Sequence, residues 1–543
     1  MTSDESVLFG ELVEKQAARS PENLAAVFGA TRWTYSQLNH RVGACARALI
    51  AAGIQKGDRV ALLGSPRFEF IVVFLAAARI GAMWVGLNPV QTANEYRHIL
   101  ADSRPSLLFA FRHTRGRDNL DILRTLAEES PFIRSTILLD DWDAPQSPYA
   151  AFIDNGSGVP DGEWKRRIAN IAPGDGALIV YTSGSTGRPK GAVLTHDNIG
   201  FSARLYCELW PLEPLRVICN LPITHVASCV ETVAYSIAAG GAVIFQEQFD
   251  AAEYLQAIER EGVNWTPLVP TMFQRILAVP DWRRYDTSSL RVILFGGAAM
   301  PANMIEELQR LSTTVVGCWG MTETTSGITF TDSNDSLDVL SSSVGRPARG
   351  CEVALMGSDG LLLDGEGPGE IVVRGRCVFK GYFGLEEATG DAIDVAGWLH
   401  SGDVGRRDAE GRLYVAGRIK EMFKSGGYNV YPREVEIAIE AHPAIAMAVV
   451  VPVPDPVYQE VGTAYVLPHA GQKIAVAEVS AHCRGRLANY KVPKRVIIRD
   501  RLPMLANGKI DRAALQKEAV SQAQSALDIV DITFPVAAAL QKE

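Results

Sequence analysis

The chain has 543 residues, 47% of them apolar and 21% charged, and a net charge of −9. That length exceeds one ordinary core and implies several domains or subdomains, while the composition excludes a disordered chain. The acidic balance argues against a general nucleic-acid binder. It leaves room for anionic substrates, because local cations within a screening length of about 8 Å decide binding. The eight cysteines, Cys45, Cys207, Cys219, Cys229, Cys318, Cys351, Cys377 and Cys483, show no C-x-x-C spacing. This argues against a zinc knuckle and fits scattered free thiols in a reducing, cytoplasmic setting.

In chain order, Met1 to Glu5 is acidic and lacks a signal-peptide pattern. Leu8 to Ala18 has helical spacing, and Ala25 to Phe28 reads as a short strand with a turn after Gly29. Thr34 is placed to cap a helix, with Gln37 at the capping-box position, that runs to about Ala52 before Gly53. Arg59 to Leu63 reads as a buried strand. The most apolar stretch, Phe70 to Val90, is broken by Arg79 and Asn88-Pro89, so it predicts a buried helix and strand, not a membrane span. Further apolar strands are expected at Ala177–Val180, Ala192–Leu194, Ala242–Phe245, Trp265–Val269 and Arg291–Phe295. Such strand–helix alternation predicts an α/β architecture with mostly parallel sheets. After about Ser343 come short glycine-punctuated strands, Val353–Leu355, Glu370–Val373 and Arg412–Val415, which predict a β-rich subdomain. The expected organisation is a large domain over 1–416, a boundary over 417–420 (a hinge in the family resemblance given below), a small α+β domain over 421–515 and a tail over 516–543. The tail begins as a helix and has no role assignable from sequence.

The segment from Tyr181 to Gly191, YTSGSTGRPKG, gathers hydroxyls, glycines and a cation between two apolar strands. A tight loop of this kind brings backbone N–H groups close to phosphate oxygens, with Lys190 beside them. It is not a Walker A loop, since Gly191 and not Ser or Thr follows Lys190. Other segments share this chemistry: Pro222-Ile223-Thr224-His225, Leu294 to Ala299 (LFGGAA), Gly317 to Thr324 (GCWGMTET), Trp398 to Asp403 (WLHSGD), Lys424 to Glu436 (KSGGYNVYPREVE) and Pro503 to Arg512 (PMLANGKIDR). Taken singly, each also reads as an ordinary cap, turn or strand end.

Together, and in this order over about residues 10 to 515, they resemble the adenylate-forming (AMP-binding) superfamily, in its acyl-CoA synthetase branch. The resemblance implies a large N-terminal domain of subdomains and a small, mobile C-terminal domain. It implies an ATP-dependent carboxylic acid–CoA ligase that works through acyl-AMP, with ATP, Mg²⁺ and CoA as cofactors and cosubstrates. Thr182, Ser183, Gly184, Ser185, Thr186, Gly187 and Lys190 would hold the β- and γ-phosphates. Gly297, Ala298, Cys318, Trp319, Gly320 and Met321 would border adenine and the acyl group, with Trp319 stacking on the base. Thr322 would bind the α-phosphate and Glu323 the metal, as a hard oxygen ligand. Asp403 would accept from the ribose hydroxyls, with Arg418 nearby and Lys420 at the hinge. Lys424, Gly426 and Gly427 would face the CoA arm. Candidates for catalysis are Lys509, Thr322, Glu323 and His225. Lys509 would stabilise charge during adenylation, and His225 is expected chiefly as pocket wall.

The resemblance also bears on the acid. From Thr224 to Val230 no acidic residue and no arginine occurs, and the first charge is Glu231. A buried carboxylate is costly unless paired, so an uncharged, apolar monocarboxylic acid is expected, fatty or alicyclic/aromatic. The alternatives are an acyl-AMP ligase serving a carrier protein, a non-catalytic nucleotide-binding protein and, more remotely, a luciferase. A non-catalytic protein should have lost Lys509, Glu323 or Asp403, and all three are present. The expected partners are small molecules, with no nucleic acid and no membrane span. The sequence sets no oligomeric state, and a homodimer is compatible with it.

Overall fold

A computed structural model describes residues 8–114, 116–182, 188–312, 314–469, 471–505 and 510–530. The chain divides into two compact units, one of residues 1–401 and 407–414, the other of 402–406 and 415–543.

The larger unit holds two extended sheets. The first has nine strands in the order Arg346–Pro347, Gly327–Phe330, Thr314–Gly320, Val292–Phe295, Trp265–Leu268, Arg216–Cys219, Ala242–Phe245, Leu24–Phe28 and Thr31–Thr34. Its central strands are parallel, as near-continuous apolar runs require when both faces are covered. Its edges are antiparallel. The second has seven strands: Gly381–Tyr382, Lys190–Thr195, Gly176–Thr182, Met83–Leu87, Arg59–Leu63, Leu107–Ala110 and Ser135–Leu138. It too is parallel at its centre and antiparallel where Lys190–Thr195 meets both neighbours. An antiparallel strand pair, Cys351–Met356 and Gly369–Gly375, follows.

Local signals in the sequence act as expected. Gln37 N–H donates to Thr34 Oγ1 (3.3 Å) and Thr34 N–H to Gln37 Oε1 (3.0 Å), starting the helix Tyr35–Ala51. Every residue of the helix Phe68–Arg79 is buried, and the strand Met83–Leu87 follows it. Among the described residues, no helix is long and apolar enough to cross a membrane, and all eight cysteines are free.

In the smaller unit, the strands run Tyr428–Val430, Phe423–Ser425, Gln459–Pro468 and Ile445–Asp455, with Arg495–Ile498 beside Gln459–Pro468. The helix Pro432–Glu440 covers one face through Val435 and Ile439. The helix Arg512–Val530 covers the other, burying Leu515, Ala519 and Ala523 against Val449, Val451 and Tyr465. It thus continues unbroken past residue 515, and the helical start of the expected tail is packed structure.

Candidate active site

The phosphate-loop candidate connects two antiparallel strands, Gly176–Thr182 and Lys190–Thr195, whose register sets Thr182 opposite Lys190. Ser183, Gly184, Ser185, Thr186 and Gly187 lie outside the described residues. Both flanks are tied down. Tyr181 Oη donates to Asp102 Oδ2 at 2.5 Å, and His98 Nε2–H to the Pro189 carbonyl at 2.7 Å. Burial and the Asp102 carboxylate push the Tyr181 phenol far above its usual range, so it keeps its proton.

The next strand along this sheet edge brings in a residue that the sequence reading missed. Ala192 pairs with Tyr382. Lys190 Nζ lies 4.9 Å from the centre of the Tyr382 ring, and Tyr382 Oη donates to Glu323 Oε1 at 2.8 Å. Lys190 and Glu323, 133 positions apart in sequence, therefore share one phenol. Burial, with the Glu323 carboxylate, raises the Tyr382 phenol well above its usual range, so it acts as a donor. Tyr382 sits in a two-residue strand, Gly381–Tyr382, whose sequence carries no signal for this contact.

Glu323 lies in a short 3₁₀ turn, Thr322–Thr324, between the strands Thr314–Gly320 and Gly327–Phe330. The turn is tight because Gly320 passes close to the returning chain: a Cβ there would sit 2.1 Å from the Ser326 carbonyl oxygen. Thr324 Oγ1 accepts from the Met321 N–H at 2.8 Å. Thr325 has φ +66°, a region costly for a β-branched residue, and its hydroxyl is held by the Cys377 carbonyl at 2.8 Å. Glu323 is only 5% exposed. Its second oxygen, Oε2, has no hydrogen bond or ion pair within the described structure. Among the described residues, no group of three or more His, Cys, Asp or Glu could hold a metal ion. One spare carboxylate oxygen suits Mg²⁺, which typically takes one or two protein carboxylates and completes its shell with phosphate oxygens and water.

Gly297 and Ala298 are exposed just past the C-terminal end of the parallel strand Val292–Phe295, where open α/β sheets bind ligands. Thr322 and Met321 are half-buried. Trp319 is 8% exposed, so protein already covers most of the ring expected to stack on adenine. His225 Nδ1 accepts from the Ala227 N–H at 3.2 Å, which leaves its proton on Nε2 when the ring is neutral. It stands just ahead of a π-helix, Ala227–Ala234. Cys318 is surrounded by protein, and burial, aided by Glu231, holds its thiol well above the usual range. A thiol held protonated in this way is a poor nucleophile.

In the smaller unit, Asp403 is 7% exposed and its Oδ1 lies 3.1 Å from Arg418 Nε. The strands Phe423–Ser425 and Tyr428–Val430 are joined by Gly426-Gly427, with φ +59° and +86°. A two-residue hairpin loop with both φ positive favours glycine, so these glycines have a conformational reason to be there. The Lys424 side chain at this hairpin is exposed. Lys509 lies outside the described residues.

Comparison with known proteins places this geometry. Residues 13–383 match the family model described as AMP-binding enzyme, and residues 434–509 match that of the AMP-binding enzyme C-terminal domain. A feruloyl-CoA synthase from Amycolatopsis sp is 37% identical over 504 residues, covering 93% of this chain and 97% of that one. An indoleacetate–CoA ligase from Aromatoleum aromaticum is 34% identical over 505 residues, covering 92% and 96%. The crystal structure of ATP-bound MatB from Rhodopseudomonas palustris superposes with a TM-score of 0.83 at 28% identity, covering 95% of this chain and 99% of that one.

Proposed function

Because the chain belongs to the AMP-binding enzyme family, in its acyl-CoA synthetase branch, we propose that it joins an apolar monocarboxylic acid to CoA at the expense of ATP. The observation that carries this reading is the Lys190–Tyr382–Glu323 arrangement, a cation and a carboxylate with a spare oxygen on one phenol. In the first half-reaction, an oxygen of the substrate carboxylate attacks the α-phosphorus of ATP. The bond to the bridging oxygen breaks, and pyrophosphate leaves with its electron pair. In the second, the CoA sulfur attacks the acyl carbon, the thiol proton passes to water, and AMP leaves.

Lys190 with the loop 183–187 binds the β- and γ-phosphates, and Thr322 the α-phosphate. Glu323 would hold Mg²⁺, which would supply positive charge against the phosphate oxygens. Lys509 offsets charge gathered at the α-phosphorus. Asp403 accepts from the ribose hydroxyls beside Arg418. A hinge over 417–420 then replaces Lys509 by the hairpin of Lys424, Gly426 and Gly427, along which the CoA arm passes. The large domain follows as 1–416 and the small domain as residues from 421 onward, which include the packed helix Arg512–Val530. The apolar wall residues Val226, Cys318 and Met321 support an acid with a fatty or alicyclic/aromatic body. The two relatives, named for feruloyl and indoleacetate groups, support the aromatic choice.

The test is an acid panel with ATP and Mg²⁺, run with and without CoA and read by mass spectrometry for pyrophosphate, AMP and thioester. CoA-dependent thioester from one acid group is the expected result. Pyrophosphate without thioester would move the chain to acyl-AMP transfer onto a carrier protein. Lys509→Ala should lower adenylation by roughly 10²–10³-fold while sparing thioester formation from supplied acyl-AMP. Equal loss of both steps would remove Lys509 from this role.

A further inference from the structure

One carboxylate in the large unit is used by none of the steps above. Glu231 is the lone charge between Val226 and Ala239, and it falls in the π-helix Ala227–Ala234. Such turns arise where a helix is opened to re-aim a side chain, often at functional sites. The other seven residues of that turn are all buried, whereas Glu231 keeps accessible surface. Yet the protein around it desolvates its carboxyl and holds it above the usual range. Surface that is accessible but deeply enclosed belongs to an interior recess and not to the outside of the molecule.

The recess has identifiable walls. Glu231 Oε1 accepts from Tyr206 Oη at 3.3 Å and from the Gly327 N–H at 3.4 Å. Tyr206 is fully buried and locked among Trp210, Tyr235, Trp265 and Phe330. Cys318 likewise keeps accessible surface although deeply enclosed. A Cβ on Gly327 would lie 3.1 Å from Cys318 Sγ and 3.2 Å from Tyr206 Oη, so all four groups adjoin. On its other side, a Cβ on Gly296 would lie 2.6 Å from Cys318 Sγ. Cys318 is four residues before Thr322 on the same strand and turn, a span of about 13 Å at full extension. Within the described structure, the second oxygen of Glu231 has no hydrogen-bond partner, and no lysine or arginine pairs with either oxygen.

A carboxylate oxygen that faces a desolvated surrounding without a donor is poorly stabilised, and a ligand that brings the donor relieves this. We propose that Glu231 is a specificity determinant that receives a hydroxyl or ring N–H at the far end of an aromatic carboxylic acid, with Tyr206, Cys318, Gly296 and Gly327 shaping the recess around the ring. The assignment rests on the reaction proposed above. It narrows the substrate from apolar acids in general to aryl acids with a short linker and a distal neutral donor. A flat ring suits a wall with glycine on both sides of Cys318, and it carries its donor at a fixed distance with little ordering cost.

The test compares 3-(4-hydroxyphenyl)propanoate, 3-phenylpropanoate, 3-(4-aminomethylphenyl)propanoate and 8-hydroxyoctanoate as acids for thioester formation. It uses the full-length wild type and the variants Glu231→Leu and Glu231→Gln. Wild type should favour the phenol over its deoxy partner by at least about 100-fold in kcat/KM, as sites built around a hydrogen bond do. Glu231→Leu should lose that preference by falling on the phenol while holding or gaining on the deoxy acid. Glu231→Gln, which keeps an acceptor and the side chain's shape, should retain part of it. If Glu231→Leu does not fold, the wild-type ratio and Glu231→Gln decide. Equal use of phenol and deoxy acid by the wild type overturns the assignment while leaving the ligase reaction standing. So does preference for the ammonium acid or for the hydroxyalkanoate. Absence of thioester from any acid would overturn the reaction and the assignment together.

Discussion

Glu323 and Glu231, in the large unit, are held by phenol hydroxyls and a backbone N–H, each through one oxygen. Glu436 and Glu440, in the small unit, are held by arginines and backbone through both. Glu436 takes Arg512 (2.6 Å) and the Val450 N–H (2.9 Å) on Oε1, and Arg433 (3.2 Å) on Oε2. Glu440 takes the Ala448 N–H (3.0 Å) and Arg433 (2.8 Å). Burial opposes the charge on Arg433, but Glu440 and Glu436 more than restore it and raise its pKa. The difference separates two uses of buried charge. A carboxylate with both oxygens engaged braces the fold, whereas one left half-engaged by a neutral donor keeps an oxygen for a ligand.

The largest break in this comparison should come from Glu323→Gln. Adenylation, read as acid-dependent pyrophosphate release, should fall by roughly 10²–10³-fold with the melting temperature nearly unchanged. A loss of stability without loss of rate would put Glu323 among the bracing carboxylates. Glu436→Ala should do the reverse, because it leaves Arg433 and Arg512 without their shared partner. Urea unfolding of the small unit should show a loss of about 3 kcal/mol, with kcat of the folded enzyme little changed. An unaltered urea midpoint would mean that the arginines find other partners.

A smaller effect tests how the large unit treats charge. The helix that carries Tyr206 starts at His196, which is fully buried, accepts from the Gly10 N–H at Nδ1 (3.3 Å) and has no partner at Nε2 among the described residues. Burial outweighs Asp175 and Glu11 and lowers its pKa from 6.5 to about 4. The unfolded chain binds the proton first, so this contribution is fully present above pH 6.5 and is lost as pH falls towards 4. At pH 5 the loss is about 2 kcal/mol by linkage. Unfolding free energies measured across that window should fall less steeply in His196→Gln, and parallel curves would count against it. Smallest is Tyr382→Phe, which frees the other oxygen of Glu323. We expect about a ten-fold drop in adenylation, a raised Mg²⁺ requirement and unchanged thioester formation from acyl-AMP. An identical Mg²⁺ titration would show that Tyr382 does not position Glu323.

Local physics made much of this molecule readable from its sequence. The Thr34 cap needs only residues three apart, and the strands around the phosphate loop announce themselves as apolar runs. Gly426-Gly427 was expected only to give the CoA arm room, and the structure adds a conformational reason, two adjacent positive φ angles in a hairpin. The antiparallel setting of Lys190–Thr195 was not readable, because strand direction depends on which neighbours a strand finds. Tyr382 escaped for the same reason, its role arising from a pairing with Ala192 far away in the chain. Glu231 escaped for another. The reading of Thr224–Val230 for charge stopped at Glu231 without giving it a role, and the wider π turn shifts which side chains point inward by comparison with an ordinary helix. A lone charge in an apolar stretch was the available signal.

The division between the units has a practical consequence for dissecting the gene. Residues 402–406 group with the C-terminal portion, while 407–414 return to the N-terminal one. A fragment begun at residue 415 would contain Arg418 but not Asp403, its partner at 3.1 Å. A split there would sever an ion pair and discard the carboxylate proposed to read the ribose. A cut after Ser401 keeps Asp403 and Arg418 on one fragment, but carries 407–414 away from the unit with which they group.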